Sequence, residues 1–244
     1  MNIIPITNFQ THNSPTFKIS GKDVLDKKGQ LLYRTTTSCL REDIDWTVLP
    51  DLLYRHFIKA NKVNVFDYAC STGEEAFTLI ISMVHCLGNR ADKFFPIIGK
   101  DINHENIRYA QSGTIRTNDS EFRKIKEHFG TKINNYLKKY YNLDMIFFNK
   151  SVTQKVQFSH GDIIKDIDTL PNINTVLFCR NFLSYLNEGD FETLMTKIAN
   201  KFRNTNSLLI TGNYDSTNYR IKRSLFNNGF ACLEGIDNVY HVIE

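Results

Sequence analysis

The chain has 244 residues, of which 41% are hydrophobic and 12% aromatic, so it can bury a sizeable core in one large domain, with or without a small appendage. Its formal net charge of +4 comes from 30 basic and 26 acidic residues that are mostly scattered, which indicates a solvated surface rather than a nucleic-acid partner, although an acidic partner surface stays open. Five cysteines without a C-x-x-C pair argue against disulfides and structural zinc, so we expect no metal. The sequence shows neither a signal-peptide pattern nor a long apolar run, so we expect a cytoplasmic protein with no membrane insertion.

The first 60 residues carry weaker signals than the rest of the chain. Residues 1–30 are predicted to form an N-terminal lead-in, because their first part is rich in Asn, Thr, Ser and Pro. Residues 31–244 are predicted to form one domain. Near its start lies DWTVLPDLLYRHFIKA, whose helical periodicity is interrupted at Pro50.

From Val63 onward, strand and helix signals alternate. The apolar runs with the length and composition of buried strands are VNVFDYA, FFPIIGKD, KVQFSHGD, INTVLFCRN and SLLITGN. The stretches with helical spacing between them are Glu74–Cys86, His104–Ser112, Phe191–Arg203 and Thr217–Asn228. The alternation predicts an α/β fold with a doubly wound, mostly parallel sheet that carries helices on both faces.

Two segments depart from this alternation. The segment 118–152 is too long for a simple connection, so we expect an inserted subdomain with a helix and a small antiparallel ribbon. Its strand-like piece DMIFFNKSV is expected to offer an exposed edge. The tail FACLEGIDNVYHVIE predicts two strands joined by a turn at Asp237-Asn238, which would place an antiparallel strand in the sheet.

A loop of small residues, Ala69–Gly73, follows the first strong strand and precedes Glu74 and Glu75. In doubly wound sheets ligands bind beyond the carboxyl ends of the strands, and small side chains let backbone N–H groups approach a ligand. The loop has neither a G-x-G-x-x-G fingerprint nor a G-K-[ST] sequence, which argues against a dinucleotide-dependent dehydrogenase. Two carboxylates at a helix start favour a cationic ligand group, and S-adenosylmethionine carries an ammonium and a sulfonium. A plain strand-to-helix turn is the alternative.

Three further strand ends carry polar side chains. Asp101 ends the second strand, where an acid can accept hydrogen bonds from two ribose hydroxyls, and Asp162 ends the third, where it can accept from an adenine amino group. Both carboxylates have an alternative role as helix N-caps. The fourth strand ends in FCRNFLSYL and so brings Arg180, Asn181 and Tyr185 to the same rim.

The motifs ACSTGEEAFTL, GKDINHENIRYAQSG, VQFSHGDI and LFCRNFLSYLNEGD, in this order, resemble the chemotaxis receptor methyltransferases, the CheR family. Upstream, TTTSCLRED is similar to that family's T-x-N-x-T-x-F-F-R-[DE] segment, and the resemblance runs from about residue 30 to the C-terminus. It implies a Rossmann-like class I methyltransferase fold and S-adenosylmethionine as cofactor with S-adenosylhomocysteine as product. It also implies transfer of a methyl group to a protein glutamate, with a chemoreceptor as the expected partner.

Carried over by matched position, the family pattern implies a set of cofactor-binding residues. They are Thr35, Thr37, Arg41, Ala69, Cys70, Glu74, Asp101, Ile102, Asp162, Ile163, Arg180 and Asn181. In that pattern the Ala69–Cys70 backbone and Glu74 flank the methionine end, Asp101 binds the ribose and Asp162-Ile163 holds the adenine.

The same pattern implies that Arg41 and Tyr185 face the methyl-transfer centre, so they are the predicted catalytic residues. Arg41 is suited to clamp an acceptor carboxylate, because a guanidinium pairs with it through two hydrogen bonds. The alternative is a surface arginine paired with Glu42 or Asp43.

The sequence also departs from the family pattern. Thr35 stands where the family has Asn, Cys39-Leu40 where it has Phe-Phe, Ala76-Phe77-Thr78 where it has Pro-Tyr-Ser, and Gly212-Asn213-Tyr214-Asp215 where it has Gly-His-Ser-Glu. We expect the family's N-terminal helical domain to be truncated or missing. Two other functions therefore stay open: a methyltransferase with a small-molecule acceptor, and a catalytically silent cofactor-binding module.

Overall fold

The computed structural model describes the strands β1 (Asp23–Leu25) and β2 (Leu31–Arg34) and the continuous stretch of residues 37–243. The chain divides into two compact units, Met1–Thr36 and Thr37–Glu244. In the small unit β1 and β2 pair antiparallel, with Asp23 opposite Arg34 and Val24 opposite Tyr33.

The larger unit is an α/β structure. Its strands, in chain order, are β3 (Asn64–Tyr68), β4 (Ile97–Asp101), β5 (Thr114–Arg116), β6 (Leu137–Tyr140), β7 (Met145–Phe148), β8 (Val156–His160), β9 (Thr175–Cys179), β10 (Leu208–Thr211), β11 (Phe230–Cys232) and β12 (Val239–Val242). Its α-helices are α1 (Leu49–His56), α2 (Glu74–Leu87), α3 (His104–Gln111), α4 (Asp119–Phe129), α5 (Lys150–Thr153), α6 (Ile163–Asp166), α7 (Glu188–Phe202), α8 (Asn213–Ser216) and α9 (Tyr219–Asn227). The 3-10 helices are Gly88–Phe94, Gly130–Asn135, Tyr141–Leu143, Ile167–Thr169 and Leu183–Tyr185.

Seven strands form the central sheet in the order β11-β12-β10-β9-β3-β4-β8. The pairs from β10 to β8 are all parallel, whereas β12 runs antiparallel to both β10 and β11. The strand order reverses between β3 and β9, so the carboxyl ends of these strands and of β4 form the expected ligand-binding edge. The predicted doubly wound sheet, including the antiparallel C-terminal strand, is confirmed.

The sheet separates two hydrophobic cores, because successive side chains of a strand point to opposite faces. On the fully buried β9, Val176 and Phe178 belong to one core and Leu177 and Cys179 to the other. Helix α2 packs into the first core and α7 into the second, so helices cover both faces of the sheet.

The prediction that Pro50 interrupts the first helix is wrong. Helix α1 begins at Leu49, so Pro50 occupies its first turn, where the missing N–H has no intrahelical partner to lose.

The segment 118–152 carries α4 and two antiparallel strands. A capping box opens α4, since Asn118 Oδ1 accepts from the N–H of Glu121 and the Glu121 carboxylate accepts in return. The expectation that DMIFFNKSV offers an exposed edge is wrong. The short strand β5 pairs with β7, so β7 is the middle strand of a sheet in the order β5-β7-β6.

Within the part of the chain that the structure describes, no helix is both long and apolar enough to cross a membrane.

Candidate active site

The loop between β3 and α2 has an unusual backbone. Ala69, Ser71 and Gly73 all have positive φ angles, of 58°, 51° and 93°. At Gly73 a side chain would be strained by φ and would also meet Phe158, whose Cζ lies 2.8 Å from the position of an added Cβ. The loop is therefore held in one shape by the packing beneath it.

The loop directs its amide groups inward. The N–H of Cys70 donates to the Lys100 carbonyl (3.0 Å), that of Ser71 to Asp101 Oδ2 (2.8 Å) and that of Gly73 to the Cys70 carbonyl (2.9 Å). The expectation that the small residues free N–H groups for a ligand is wrong for these three amides. The acidic side chains around the loop are what it can offer instead.

Glu74 is the first of these acidic side chains and is buried at the start of α2. Thr72 Oγ1 donates to both carboxylate oxygens, at 2.7 and 2.8 Å, and the Thr37 side chain also hydrogen-bonds to Glu74. Burial raises the pKa of Glu74, which these hydrogen bonds only partly oppose. Because the hydroxyl donors are neutral, a cationic ligand group would stabilise this carboxylate.

Asp101 connects the ends of β3 and β4. Its Oδ2 binds the loop through Ser71, and its Oδ1 accepts from the N–H of Asn103 (2.8 Å) and from Asn106 Nδ2 (3.4 Å). Asn103 is the N-cap of α3, so the alternative assignment of that cap to Asp101 is wrong. Burial raises the pKa of Asp101. A carboxylate accepts about four hydrogen bonds, so the interior bonds leave capacity for a ribose hydroxyl.

Asp162 does cap a helix. Its Oδ1 accepts from the N–H of Ile164 (3.1 Å) at the start of α6, and its Oδ2 lies 3.5 Å from Lys165 Nζ. Ile163 is buried in the second core, whereas Ile102 at the end of β4 is exposed and can pack against a planar ring. The adenine-binding roles of these residues stay predictions.

Arg180 lies at the centre of a buried ion-pair network. One terminal nitrogen pairs with Glu75 and the other with Asp43, and the guanidinium carbon lies 5.6 Å from the ring centre of Trp46. The side chain of Arg180 is 2% exposed, and those of its partners are 10% and 13% exposed. This geometry gives Arg180 a structural role beside its predicted contact with the cofactor.

The carboxyl groups around Arg180 respond to it differently. Burial tends to raise the pKa of Asp43, but Arg180 and hydrogen bonds from Asn181 and Asn213 outweigh it, so this pKa lies below its usual range. Burial raises the pKa of Glu75 despite the same guanidinium. Burial and the charge of Glu75 raise the pKa of Asp67 well above its usual value, and Asp67 Oδ2 has no hydrogen-bond partner among the described residues.

A cavity of about 400 Å³ opens beside this network. Its lining residues are Ser38, Cys39, Leu40, Arg41, Glu42, Asp43, Glu121, Lys124, Asn181, Asn213 and Tyr214. The charge of Arg41 lowers the pKa of both Asp43 and Glu75, so its guanidinium lies within electrostatic range of the network. Tyr185 is not among the lining residues, but its ring stacks on Tyr214 at 6.1 Å.

The structure thus brings most of the predicted site residues to one edge of the sheet, and Thr35 lies outside the described residues. Sequence reasoning missed Asp43 and Asp67 as members of the site. Asp67 stands two residues before the small-residue loop in the sequence, near the end of β3, a position that could have singled it out. Among the described residues, no group of three or more His, Cys, Asp or Glu side chains is arranged to hold a metal ion.

The family model for the S-adenosylmethionine-binding domain of CheR methyltransferases matches residues 35–227. The chain belongs to the CheR methyltransferase family. It is an S-adenosylmethionine-dependent methyltransferase with a Rossmann-like fold, and S-adenosylmethionine is its cofactor. Among curated proteins, none matches the sequence with significance.

Solved structures of other proteins are similar to this chain. Magnesium protoporphyrin IX methyltransferase from Synechocystis PCC 6803, with bound S-adenosylmethionine, is 14% identical over 78% of this chain and 70% of its own, with a TM-score of 0.39. MnmC2 from Aquifex aeolicus is 14% identical over 87% of this chain and 63% of its own, with a TM-score of 0.47. Both likenesses are distant and concern the fold alone.

The residues at the edge of the sheet fit this cofactor. The carboxyl groups of Asp43, Asp67, Glu74, Glu75 and Asp101 interact with one another or with the two guanidinium groups of Arg41 and Arg180. Acidic groups therefore outnumber basic ones, and the unpartnered Asp67 Oδ2 lies among them. Such a set of carboxyl groups, which accept hydrogen bonds and carry negative charge, suits a ligand with an ammonium and a sulfonium.

Proposed function

We propose that this methyltransferase methylates a carboxylate, namely a glutamate side chain of a protein, and forms an O-methyl ester. A chemoreceptor is the proposed protein substrate, which would give the enzyme a role in chemotaxis. The observation that carries the proposal is the cavity that Arg41 lines together with Asn181 and Tyr214, next to the carboxyl groups that fit the cofactor.

The reaction needs positioning more than proton transfer. The cofactor supplies a methyl group on a sulfonium and leaves as a neutral thioether. A glutamate with an ordinary pKa of about 4.3 is already ionised at neutral pH, so no general base is required. Holding the acceptor oxygen in line with the methyl group in a site with little water can contribute roughly 7–11 kcal/mol.

The cavity has the cations for this task. Arg41 and Lys124 line it, and Asp43, which also lines it, is already compensated by Arg180. Lys124 is largely exposed and pairs with Glu42 at 3.1 Å, a weak surface contact that an acceptor carboxylate can replace. We assign Arg41 to steer the acceptor and Tyr185, through its contact with Tyr214, to orient it.

The inserted subdomain is proposed to serve a protein acceptor. In the resembling family a β-subdomain at this place docks a receptor tail. Here the outer strands of the three-stranded sheet are β5 and β6, so peptide pairing would use one of these edges. The alternative is that the insertion only covers the active site. Full activity on a protein substrate after removal of the β6–β7 ribbon would argue against docking.

A small-molecule acceptor is the second candidate function. The observation in its favour is the size of the cavity, because about 400 Å³ lies within the range of roughly 300–1,000 Å³ that is typical of small-ligand sites. We also propose a cytoplasmic location, because none of the five cysteines, all of which lie in the described part of the chain, forms a disulfide.

The test is a transfer assay with methyl-labelled S-adenosylmethionine and a cell extract. A labelled protein whose label is released by mild alkali supports ester formation, whereas alkali-stable label or label only on small molecules contradicts it. With the acceptor in hand, Arg41→Ala should reduce turnover by about 30- to 1000-fold, a loss of about 2–4 kcal/mol in transition-state stabilisation. Arg41→Lys should restore only part of the turnover, since lysine keeps the charge but lacks the planar guanidinium that makes two parallel hydrogen bonds. Arg55→Ala is the matched control, because Arg55 is an exposed arginine on α1.

A further inference from the structure

A buried carboxylate lies behind the rim of the active site. Asp215 is on α8 and is fully buried. Its carboxylate accepts hydrogen bonds from the backbone N–H groups of Asn181, of Ser184 (3.3 Å) and of Gly212. Asp215 therefore ties together the two chain segments that follow β9 and β10.

The residue that Asp215 holds most directly is Asn181. Asn181 has a positive φ of 59°, and its side chain donates to Asp43 Oδ2 (3.3 Å) and accepts from the N–H of Tyr214 (3.3 Å). It also packs against Gly212, where an added Cβ would overlap its amide. With its backbone bound to Asp215 and its side chain to these neighbours, Asn181 has one available position.

We propose that Asp215 is a positioning residue that acts through its ionised carboxylate, which holds Asn181 and the following 3-10 helix in the geometry the cofactor site needs. The inference rests on the proposed placement of Asn181 beside the cofactor. The 3-10 helix Leu183–Tyr185 carries Tyr185, so the same carboxylate also sets the orienting tyrosine.

The proposal predicts a pH dependence. Burial raises the pKa of Asp215 to about 6, against the hydrogen bonds from Asn181, Ser184 and Gly212. The charged and titratable groups that face it are Arg180, which lowers this pKa, and the buried thiol of Cys179 on β9. From α9, Arg220 donates to the carbonyls of the 3-10 helix.

The sign of the effect follows from these positions. Between a pH of about 4 and about 6 the folded protein holds a proton on Asp215 that the unfolded chain has released, so acid stabilises the fold. The same proton occupies one carboxylate oxygen of Asp215, which can then accept fewer hydrogen bonds from the N–H groups of Asn181, Ser184 and Gly212. Cofactor binding is therefore expected to weaken as the pH falls through about 6.

The experiment measures the binding of S-adenosylhomocysteine by calorimetry at several pH values from 5 to 8. At pH 7.5 Asp215→Asn should weaken binding by about 10-fold or more, since three hydrogen bonds lose their charged acceptor. Asp215→Glu should restore most of the affinity. The decline of affinity toward pH 5 should be shallower in Asp215→Asn than in the unaltered protein, and the difference isolates the contribution of Asp215.

Two further variants make every outcome decisive. Asp168→Asn is the matched control, because Asp168 is exposed and pairs with Lys197. If Asn181→Ala weakens binding but Asp215→Asn does not, the role of Asp215 is wrong while the placement of Asn181 stands. If neither weakens binding, both are wrong. Should Asp215→Asn fail to fold, Asp215→Glu decides, because an upward shift of the pH midpoint supports the proposal and an unchanged profile contradicts it.

Discussion

Replacing Arg180 with methionine should lower the free energy of unfolding far more than the loss of an ordinary ion pair. Arg180 and both its partners are nearly inaccessible to water, so its removal leaves the carboxylates of Glu75 and Asp43 buried without their cation. Breaking a buried ion pair in this way costs about 3–5 kcal/mol. The contact of the guanidinium with Trp46 is lost as well.

The matched control is Lys197→Met. Lys197 pairs with Asp168 on the surface, where the two side chains are 38% and 64% exposed, so its removal should cost less than about 1 kcal/mol. Urea denaturation followed by circular dichroism measures both variants. Fluorescence is less suitable, because the single tryptophan lies against Arg180.

The pH dependence gives a second measurement. In the Arg180→Met protein, burial without a cation should raise the pKa of Asp43 and further raise that of Glu75. Carboxyl groups whose pKa is raised by folding stabilise the folded protein in acid and lose that contribution as the pH rises. The deficit relative to the unaltered protein should thus be larger at pH 8 than at pH 5. A loss no larger than that of the control, or a deficit that does not change with pH, would refute the reasoning.

Three other substitutions test separate parts of the structure. Asp101→Asn should weaken S-adenosylhomocysteine binding by about 1–3 kcal/mol in calorimetry, with Asp92→Asn, an exposed acid paired with Lys155, as its control. Gly73→Ala should destabilise the fold by about 1–3 kcal/mol in urea denaturation and by more than Gly130→Ala, because both residues have positive φ but only Gly73 meets Phe158. Phe77→Ala should cost about 3–5 kcal/mol, since its ring stacks on Phe148 at 4.1 Å, whereas Phe226→Ala on the exposed face of α9 should be nearly neutral.

The sheet could be predicted from the sequence because its signals are local. Each of the parallel strands is a short apolar run, and the turn before β12 ends at Asn238, whose positive φ of 65° suits an asparagine. The strand β5 escaped prediction because three residues are too few to show a period. Because β5 pairs with β7, the open edges of this small sheet are the outer strands β5 and β6 rather than β7.

The chemistry of the site was only partly predictable. Asp101 and Asn181 stand at strand ends, and Glu74 follows the loop after β3, positions that indicate a ligand in any doubly wound sheet. Arg180 and Asp43 pair although they are 137 positions apart in the sequence, and local sequence patterns do not predict such a contact. Local patterns can also suggest a contact that does not form. A carboxylate just before a helix suggests an N-cap, yet Asn103 rather than Asp101 caps α3.

The ion-pair network explains why the site is built from more acids than bases. A buried carboxyl group without a cation is unfavourable, and the raised pKa values of Asp67, Glu74 and Asp101 record that cost. Arg180 offsets this cost for Asp43 and reduces it for Glu75. Hydrogen bonds oppose this cost only in part for Glu74 and Asp101, and a cationic ligand would stabilise these carboxylates further. A bound cationic group would lower their pKa. The thioether product keeps the ammonium but loses the sulfonium charge, so affinity for the cofactor should exceed affinity for the product, and transfer of the methyl group itself favours product release.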